Sequence, residues 1–294
     1  MTTSPVASLG VAGAGLMGSG IAEAAAHAGV RVALYEPHER ALARSRDRID
    51  RSVARAVRGG KLTPQEGVRL VERIAWTTDL ADLADVDVAI EAIVEDLDAK
   101  RELFTQLDAV AAGARILASN TSSIPIASLA AATTRPERVC GLHFFSPVPV
   151  MSLVEIVVGL DTSLATIAAA DAFAAQLDKH AIRTKDRAGF VVNFLLVPYL
   201  MSAVRMLEDG FATREDIDEG MRRGCGHPMG PLTLCDFIGL DVLEAVCESL
   251  YDEFKRPEYA PPALLRRMTA AGRHGRKSSR GFYDYEAEPQ TVPA

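Results

Sequence analysis

The spacing of apolar and polar positions divides the chain into two halves of different texture. Through residue 185, short β-branched runs alternate with Ala-rich stretches of helical period. The runs predict strands at Ser8–Ala12, Arg31–Tyr35, Ile74–Thr77, Val86–Ile93, Ile116–Ala118, Val139–Phe144, Leu153–Val158 and His180–Thr184. Helical patterns separate the early ones, as at Gly18–Ala28 and Asp98–Val110. Such alternation predicts an α/β domain with a mostly parallel sheet and helices on both faces. From Gly189 onward the strand signal fades. Apolar-periodic stretches at Phe190–Leu207, Arg214–Gly220, Leu232–Phe254 and Pro262–Ala271 predict an all-α C-terminal domain. The charged segment Lys185–Gly189 separates them, giving expected domains at 1–187 and 188–294.

Composition narrows the function classes. The chain has 294 residues, long enough for two domains and a large core without disulfide staples. Its four cysteines form no CxxC pair, so neither a disulfide framework nor a zinc ribbon is indicated, and a cytoplasmic setting is expected. With 32 basic and 39 acidic residues the net charge is −7, which argues against a general nucleic-acid binder. The apolar, glycine-rich opening lacks a basic leader and carries Glu23 and His27, so it does not read as a signal sequence. No other window has the uncharged apolar length of a membrane span. No metal is expected: Cys225 and His227 lack a second pair at ligand spacing.

The first predicted strand runs into Gly13-Ala14-Gly15-Leu16-Met17-Gly18, which fits G-x-G-x-x-G between a strand and a helix. Gly13 allows the tight turn, Gly15 a close approach to a pyrophosphate, and Gly18 close packing of helix on strand. The helix N-terminus supplies unpaired N–H groups and partial positive charge to the phosphates. The second strand ends at Glu36, where a carboxylate accepts from ribose hydroxyls and repels a 2′-phosphate. That favours NAD over NADP, although His38 and Arg40 lie close by, and FAD enzymes share the glycine pattern.

Later strands end in polar clusters, where ligands bind in open parallel sheets. One reaches Ser119-Asn120-Thr121-Ser122-Ser123. Ser122 or Ser123 is also placed to cap the helix that Pro125 opens. Another reaches His143-Phe144-Phe145-Ser146-Pro147, and the next strand carries Glu155. If those strands are neighbours, the carboxylate fixes the imidazole tautomer and makes the other ring nitrogen a better base. Asn193 interrupts an otherwise apolar helical run, and a buried amide there needs partners.

In register, GAGLMG, EAIVEDLDAKRELF, SNTSS, HFFSPVPVMSLVEIV, DRAGFVVN, GCGHPMGPLTLCDFIGLD and GRKSSRGFYDY span nearly the whole chain. The sequence resembles the L-3-hydroxyacyl-CoA dehydrogenases, most closely the stand-alone bacterial 3-hydroxybutyryl-CoA dehydrogenases. The resemblance implies a Rossmann-type NAD-binding domain and a helical substrate-binding and dimerisation domain. It implies reversible oxidation of a short (3S)-3-hydroxyacyl-CoA to the 3-ketoacyl-CoA, with His143 as general base or acid and Glu155 its partner. Ser119 and Asn193 would hydrogen-bond substrate near the reacting carbon. Glu95, Lys100 and Lys277, with the glycine turn, Glu36, Ser119 and Ser146, would line the NAD side. Two positions depart from the pattern. Ser146 stands where Asn is commonest, and Phe194 stands where Arg usually follows the VN pair.

One feature of the residues fits a CoA substrate. Arg44, Arg48, Arg51, Arg55 and Arg58 recur at steps of four and three, one continuous helix face, with Lys61 following. Guanidinium groups bind phosphate through paired hydrogen bonds. The family places its CoA-contacting segment here, so Arg55, Arg58 and Lys61 are candidate ligands of the CoA phosphates. A solvated face with Asp47 and Asp50 as partners explains the stripe equally well. Three alternatives to the leading function stand beside it: a dehydrogenase of a sugar acid, one of a carrier-bound hydroxyacyl group, and a non-catalytic NAD-binding structural protein.

Overall fold

The central strands of the first half are apolar on both faces, which suits a sheet covered by helices on each side. In the computed structural model, which describes residues 4–285, β4 (Val88–Glu91), β5 (Ile116–Ser119) and β6 (Val139–Phe144) are buried along their whole length. With β1 (Ser8–Ala12), β2 (Arg31–Tyr35), β3 (Ile74–Thr77), β7 (Leu153–Val158) and β8 (His180–Lys185) they form one sheet in the order β3-β2-β1-β4-β5-β6-β7-β8. All neighbours are parallel except β6 and β7, which run antiparallel. The order reverses between β1 and β4, a topological switch point of the kind that binds ligands outside the carboxyl ends of the strands.

The helices of this unit are α1 (Leu16–His27), α2 (Glu39–Arg58), α3 (Pro64–Glu72), α4 (Leu97–Val110), α5 (Ile126–Ala130) and α6 (Leu164–Gln176). Helix α1 is buried from Gly18 to Ala26. A core of Leu9, Val11, Ile21, Leu34, Ile90, Ile116, Leu142 and Phe173 joins helices to sheet. Strand β4 is shorter than the predicted Val86–Ile93, because the chain turns after Glu91 into the loop that leads to α4. Helix α5 is not capped by Ser122 or Ser123. Its N-terminal N–H groups, of Ile126 and Ala127, donate to the Asp186 carboxylate at 2.9 and 2.8 Å, a contact from beyond β8 that local spacing does not reveal.

The chain divides after Arg187 into two compact units. The second is helical: α7 (Val192–Glu208), α8 (Arg214–Cys225), α9 (Pro231–Ile238), α10 (Leu240–Phe254) and α11 (Ala263–Ala270) surround Leu200, Met201, Leu232, Leu243 and Leu250. The predicted stretch Leu232–Phe254 is two helices. They meet at Gly239, whose φ of 107° a side-chain-bearing residue rarely adopts. Two buried carboxylates tie this unit together. Asp218 accepts from the N–H groups of Leu232 and Thr233 at the start of α9. Asp236 accepts from Phe282 N, Tyr283 N and the Tyr285 hydroxyl, each at 2.9 Å, docking the Gly-Phe-Tyr-Asp-Tyr segment.

Candidate active site

The glycine turn after β1 has the form that a dinucleotide requires. Gly13 has φ of 110°, and a Cβ there would lie 2.5 Å from the Ala92 carbonyl oxygen. A Cβ on Gly18 would lie 1.8 Å from the Gly13 oxygen, whereas one on Gly15 would enter open space. The first and third glycines therefore serve packing, and the second leaves the backbone bare on the ligand side. No side chain caps α1, so its leading N–H groups remain available to an anion. Glu36 sits beside the turn: its Oε2 accepts from Ala14 N at 3.3 Å, and its Oε1 lies 2.9 Å from His38 Nδ1. Ala14, Gly15 and Glu36 line an open pocket of about 760 Å3 with His38, Arg40, Arg44 and Arg48. Bare glycine backbone, an uncapped helix and an acid at the end of β2 fit NAD.

The polar cluster at the ends of β4 and β5 is organised by Glu91, which sequence reasoning missed. Its side chain is fully buried. Oε1 meets Lys100 Nζ at 2.5 Å and Ile93 N at 2.7 Å, while Oε2 accepts from the Ser119 hydroxyl at 2.6 Å. Ser119 Oγ in turn accepts from Thr121 N at 3.1 Å. The Ser119 proton is thus committed to Glu91, and toward any ligand this hydroxyl can only accept. Lys100, itself 1% exposed, also pairs with Glu95 Oε2 at 3.2 Å. Burial pushes the Glu95 carboxyl upward, but Lys100 and the hydroxyls of Thr121 and Ser123 outweigh it and hold the group below its usual pKa. The expected residues Glu95, Lys100 and Ser119 therefore share one network. Its centre was hidden in the sequence by the apolar Val-Ala-Ile-Glu-Ala-Ile-Val run. The surviving signal was an acid inside a strand and a lysine that α4 buries.

His143 and Glu155 are brought together by the single antiparallel pairing in the sheet. They are direct cross-strand partners on β6 and β7, so their side chains share a face. His143 Nδ1 lies 2.7 Å from Glu155 Oε2, with the histidine 6% exposed and the glutamate fully buried. The Phe145 ring stands edge-on to the imidazole at 4.6 Å. Asn120 Oδ1 accepts from Phe144 N at 2.9 Å and ties the end of β5 to the end of β6. A carboxylate held at this distance favours the Nδ1–H tautomer of the imidazole. Ser146 follows, exposed, in the loop between β6 and β7.

Other expected site residues lie elsewhere. Asn193 is half-buried in the first turn of α7, and Lys277 pairs with Asp241 at 2.5 Å, both in the second unit. Arg55 and Arg58 are exposed on the last turns of α2, and Lys61 follows, also exposed. The arginine stripe is not uniform. Arg48 turns inward, donating to Ser19 Oγ at 2.8 Å and to the Gly15 oxygen at 3.3 Å. Among the described residues, no ion pair joins the stripe to Asp47 or Asp50. His227 Nδ1 lies 3.2 Å from the Tyr199 hydroxyl.

A doubly wound sheet with a bare glycine turn at its switch point defines a dinucleotide-binding protein. Comparison with known proteins specifies it further. Residues 8–187 match the family described as 3-hydroxyacyl-CoA dehydrogenase, NAD binding domain, and residues 189–285 match 3-hydroxyacyl-CoA dehydrogenase, C-terminal domain. The chain is 53% identical over 279 residues to a 3-hydroxybutyryl-CoA dehydrogenase of Mycobacterium tuberculosis, covering 94% of this chain and 98% of that one. The crystal structure of M. tuberculosis FadB2 superposes with a TM-score of 0.94 at 53% identity, covering 96% of this chain and 100% of that one. The (S)-3-hydroxybutyryl-CoA dehydrogenase PaaH1 of Ralstonia eutropha gives a TM-score of 0.89 at 45% identity, covering 96% and 99%. The chain belongs to the 3-hydroxyacyl-CoA dehydrogenase family, NAD-dependent oxidoreductases.

Proposed function

We propose that the protein interconverts (3S)-3-hydroxybutyryl-CoA and acetoacetyl-CoA, with His143 as the proton-transferring residue. The observation that carries this reading is the His143–Glu155 pair, buried, in register and 2.7 Å apart. In oxidation, His143 Nε2 takes the proton of the 3-hydroxyl as the C3–O bond becomes a carbonyl. NAD supplies the acceptor for the hydride that leaves C3, and NADH returns it in reduction. Glu155 balances the positive charge that forms on the imidazole, an effect enlarged where water is excluded. In reduction the imidazolium gives its proton to the forming alkoxide. Ser119, with its proton held by Glu91, can only accept, and would take a hydrogen bond from a ribose hydroxyl of NAD.

The glycine turn, Leu16, Met17 and Glu36 hold the adenosine and pyrophosphate parts of NAD, and Ser146 and Glu95, the latter positioned by the buried Lys100, the remainder. Arg55, Arg58 and Lys61 take the CoA phosphates; their exposure, with no ion pair to them among the described residues, supports this. Short-chain preference is supported by the relatives named for 3-hydroxybutyryl-CoA. A homodimer through the second unit is supported by the exposed apolar side chains of Leu195, Phe211, Phe237 and Val242. A reducing, cytoplasmic setting accords with four unpaired cysteines, three of them buried. Among the described residues no helix is long and apolar enough to cross a membrane.

NADH consumption with acetoacetyl-CoA, a longer 3-ketoacyl-CoA and free acetoacetate tests the reading. Turnover is expected to be fastest on acetoacetyl-CoA and weak on the free acid. Preference for the free acid would reassign the substrate. Arg55→Glu with Arg58→Glu should raise the KM for acetoacetyl-CoA and leave that for NADH unchanged, whereas two unchanged constants would make the stripe a solvated face.

A further inference from the structure

The loop that returns the chain from β6 to β7 sets the His143–Glu155 register, yet its own side chains do little to hold it. From Phe145 to Ser152 the one buried side chain is Val148, 2% exposed. Val148 seats on α1, where a Cβ on Gly20 would lie 3.0 Å from it. Inside the loop, Val150 N and Met151 N donate to the Pro147 oxygen at 2.9 and 3.0 Å and close a single turn. The carbonyls of Val148 and Met151 accept from Lys179 Nζ, each at 2.8 Å. The next carbonyl, of Ser152, accepts from His180 N at 2.6 Å. Lys179 reaches the loop from the end of α6. Asp178 takes the left-handed conformation there, with φ of 55°, and Lys179 N donates back to the Ala174 oxygen at 2.9 Å. Burial draws the Lys179 ammonium below its usual pKa, and the Asp178 carboxylate opposes this. Among the described residues Lys179 makes no ion pair, and its ammonium bonds only to these two carbonyls.

Resting on His143 as the proton-transferring residue, we propose that Lys179 is a positioning residue for that step. By holding the Val148 and Met151 carbonyls it fixes the 145–152 loop, and through the loop the alignment of His143 with Glu155 and the placement of Phe145 and Ser146. An ammonium has three donors and no acceptor, so it can bind two carbonyls at once, each through a charge-assisted bond. The two carbonyls flank the exposed tip at Pro149 and Val150, so one attachment secures both sides of the turn. Strands β6 and β7 meet at Phe144 and Val154, one residue from the His143–Glu155 pair. Slack in the loop therefore passes directly to that pair. Phe145, the first residue of the loop, carries the ring that stands edge-on to the imidazole at 4.6 Å. Proton transfer tolerates little misplacement, so a brace outside the site governs turnover more than substrate affinity.

Amide hydrogen exchange and steady-state kinetics on Lys179→Met and Lys179→Arg test the brace. In Lys179→Met the amides of Val150 and Met151 should exchange about tenfold faster, with those of Leu142 and Ile156 in the strands at the parent rate. Counted per NADH-binding site, kcat with acetoacetyl-CoA should fall about tenfold, while the KM for acetoacetyl-CoA stays within about twofold. A lysine that served stability alone would lower the number of NADH-binding sites and leave kcat per site at the parent value. Lys179→Arg, whose guanidinium also presents several donors, should bring exchange and kcat back to within about threefold of the parent. Should Lys179→Met not fold, the same quantities are read on Lys179→Gln, which keeps neutral donors and should lie between the parent and a variant with none. Unchanged exchange at Val150 and Met151 overturns the proposal, as does a kcat per site within about twofold of the parent. Lys179→Arg as slow as Lys179→Met overturns it too. A parent inactive on acetoacetyl-CoA removes the proposed function; faster exchange in Lys179→Met then still supports the brace, and unchanged exchange removes both.

Discussion

Charge is handled in opposite ways at two places along the carboxyl edge of the sheet. Between β4 and β7 the buried ionic groups face one another: Glu91 with Lys100 and Ser119, Glu155 with His143. Beyond the end of β2, Arg40 and Arg44 line the pocket and have no ion-pair partner among the described residues. A buried charge without a partner costs too much to keep, so the first region closes its network within the protein. An exposed cation costs little, so the second region can hold charge for a ligand. The first arrangement fixes geometry and the second awaits an anion.

Substitutions can break or sharpen that contrast. Glu91→Gln leaves Lys100 buried with only Glu95 beside it, and should cost about 3–5 kcal/mol of stability. Urea unfolding of this variant and of Glu91→Gln with Lys100→Met checks the point, since the double variant should recover part of the loss. An unchanged midpoint in the single variant would mean that the pair is not closed as described. Glu155→Gln can still accept from His143 Nδ1 but carries no charge, and should lower kcat about 100-fold with little change in NADH affinity. A kcat near the parent value would remove the charge-balancing role.

Glu23 offers a smaller effect with a defined pH window. Buried between α1 and α2, it accepts from the Ser52 hydroxyl at 2.7 Å, yet burial raises its pKa from 4.5 to about 7. The folded protein holds this proton where the unfolded chain has released it. The stabilising contribution is complete below pH 4.5, falls as the pH rises to about 7, and is absent above. Glu23→Gln should therefore raise stability by about 2 kcal/mol at pH 8 and scarcely at all at pH 4. Equal gains at both pH values would contradict a buried, reluctantly ionised carboxyl. Smallest of all, Arg44→Ala should shift stability by less than about 0.5 kcal/mol, because it breaks no hydrogen bond or ion pair among the described residues. A larger loss would show that Arg44 is paired and unsuited to a ligand.

Local patterns made much of this architecture legible. β1, β2, β3, β6 and β7 have the bounds that their apolar runs suggest, and the glycine turn lies between strand and helix as its motif requires. The His143–Glu155 contact was legible only on the condition that their strands are neighbours. Spacing could not supply the antiparallel register, which depends on how the loop from Phe145 to Ser152 returns the chain. Glu91 was obscure because a lone acid in an apolar strand announces no partner, and Lys100 reaches it only once α4 packs on the sheet. Asp186 capping α5 was equally hidden, being a contact between segments distant in sequence. Gly239 shows the converse error: continuous apolar periodicity on both sides concealed a break that one backbone angle imposes.

The most direct measurement compares His143→Gln with the parent protein, following NADH oxidation by acetoacetyl-CoA alongside NADH binding by fluorescence. The account predicts a kcat lower by about 1,000-fold with NADH affinity within a factor of about two, as expected when a positioned acid–base group is lost from an intact site. Turnover near the parent rate would contradict it, since proton transfer would then belong to another group.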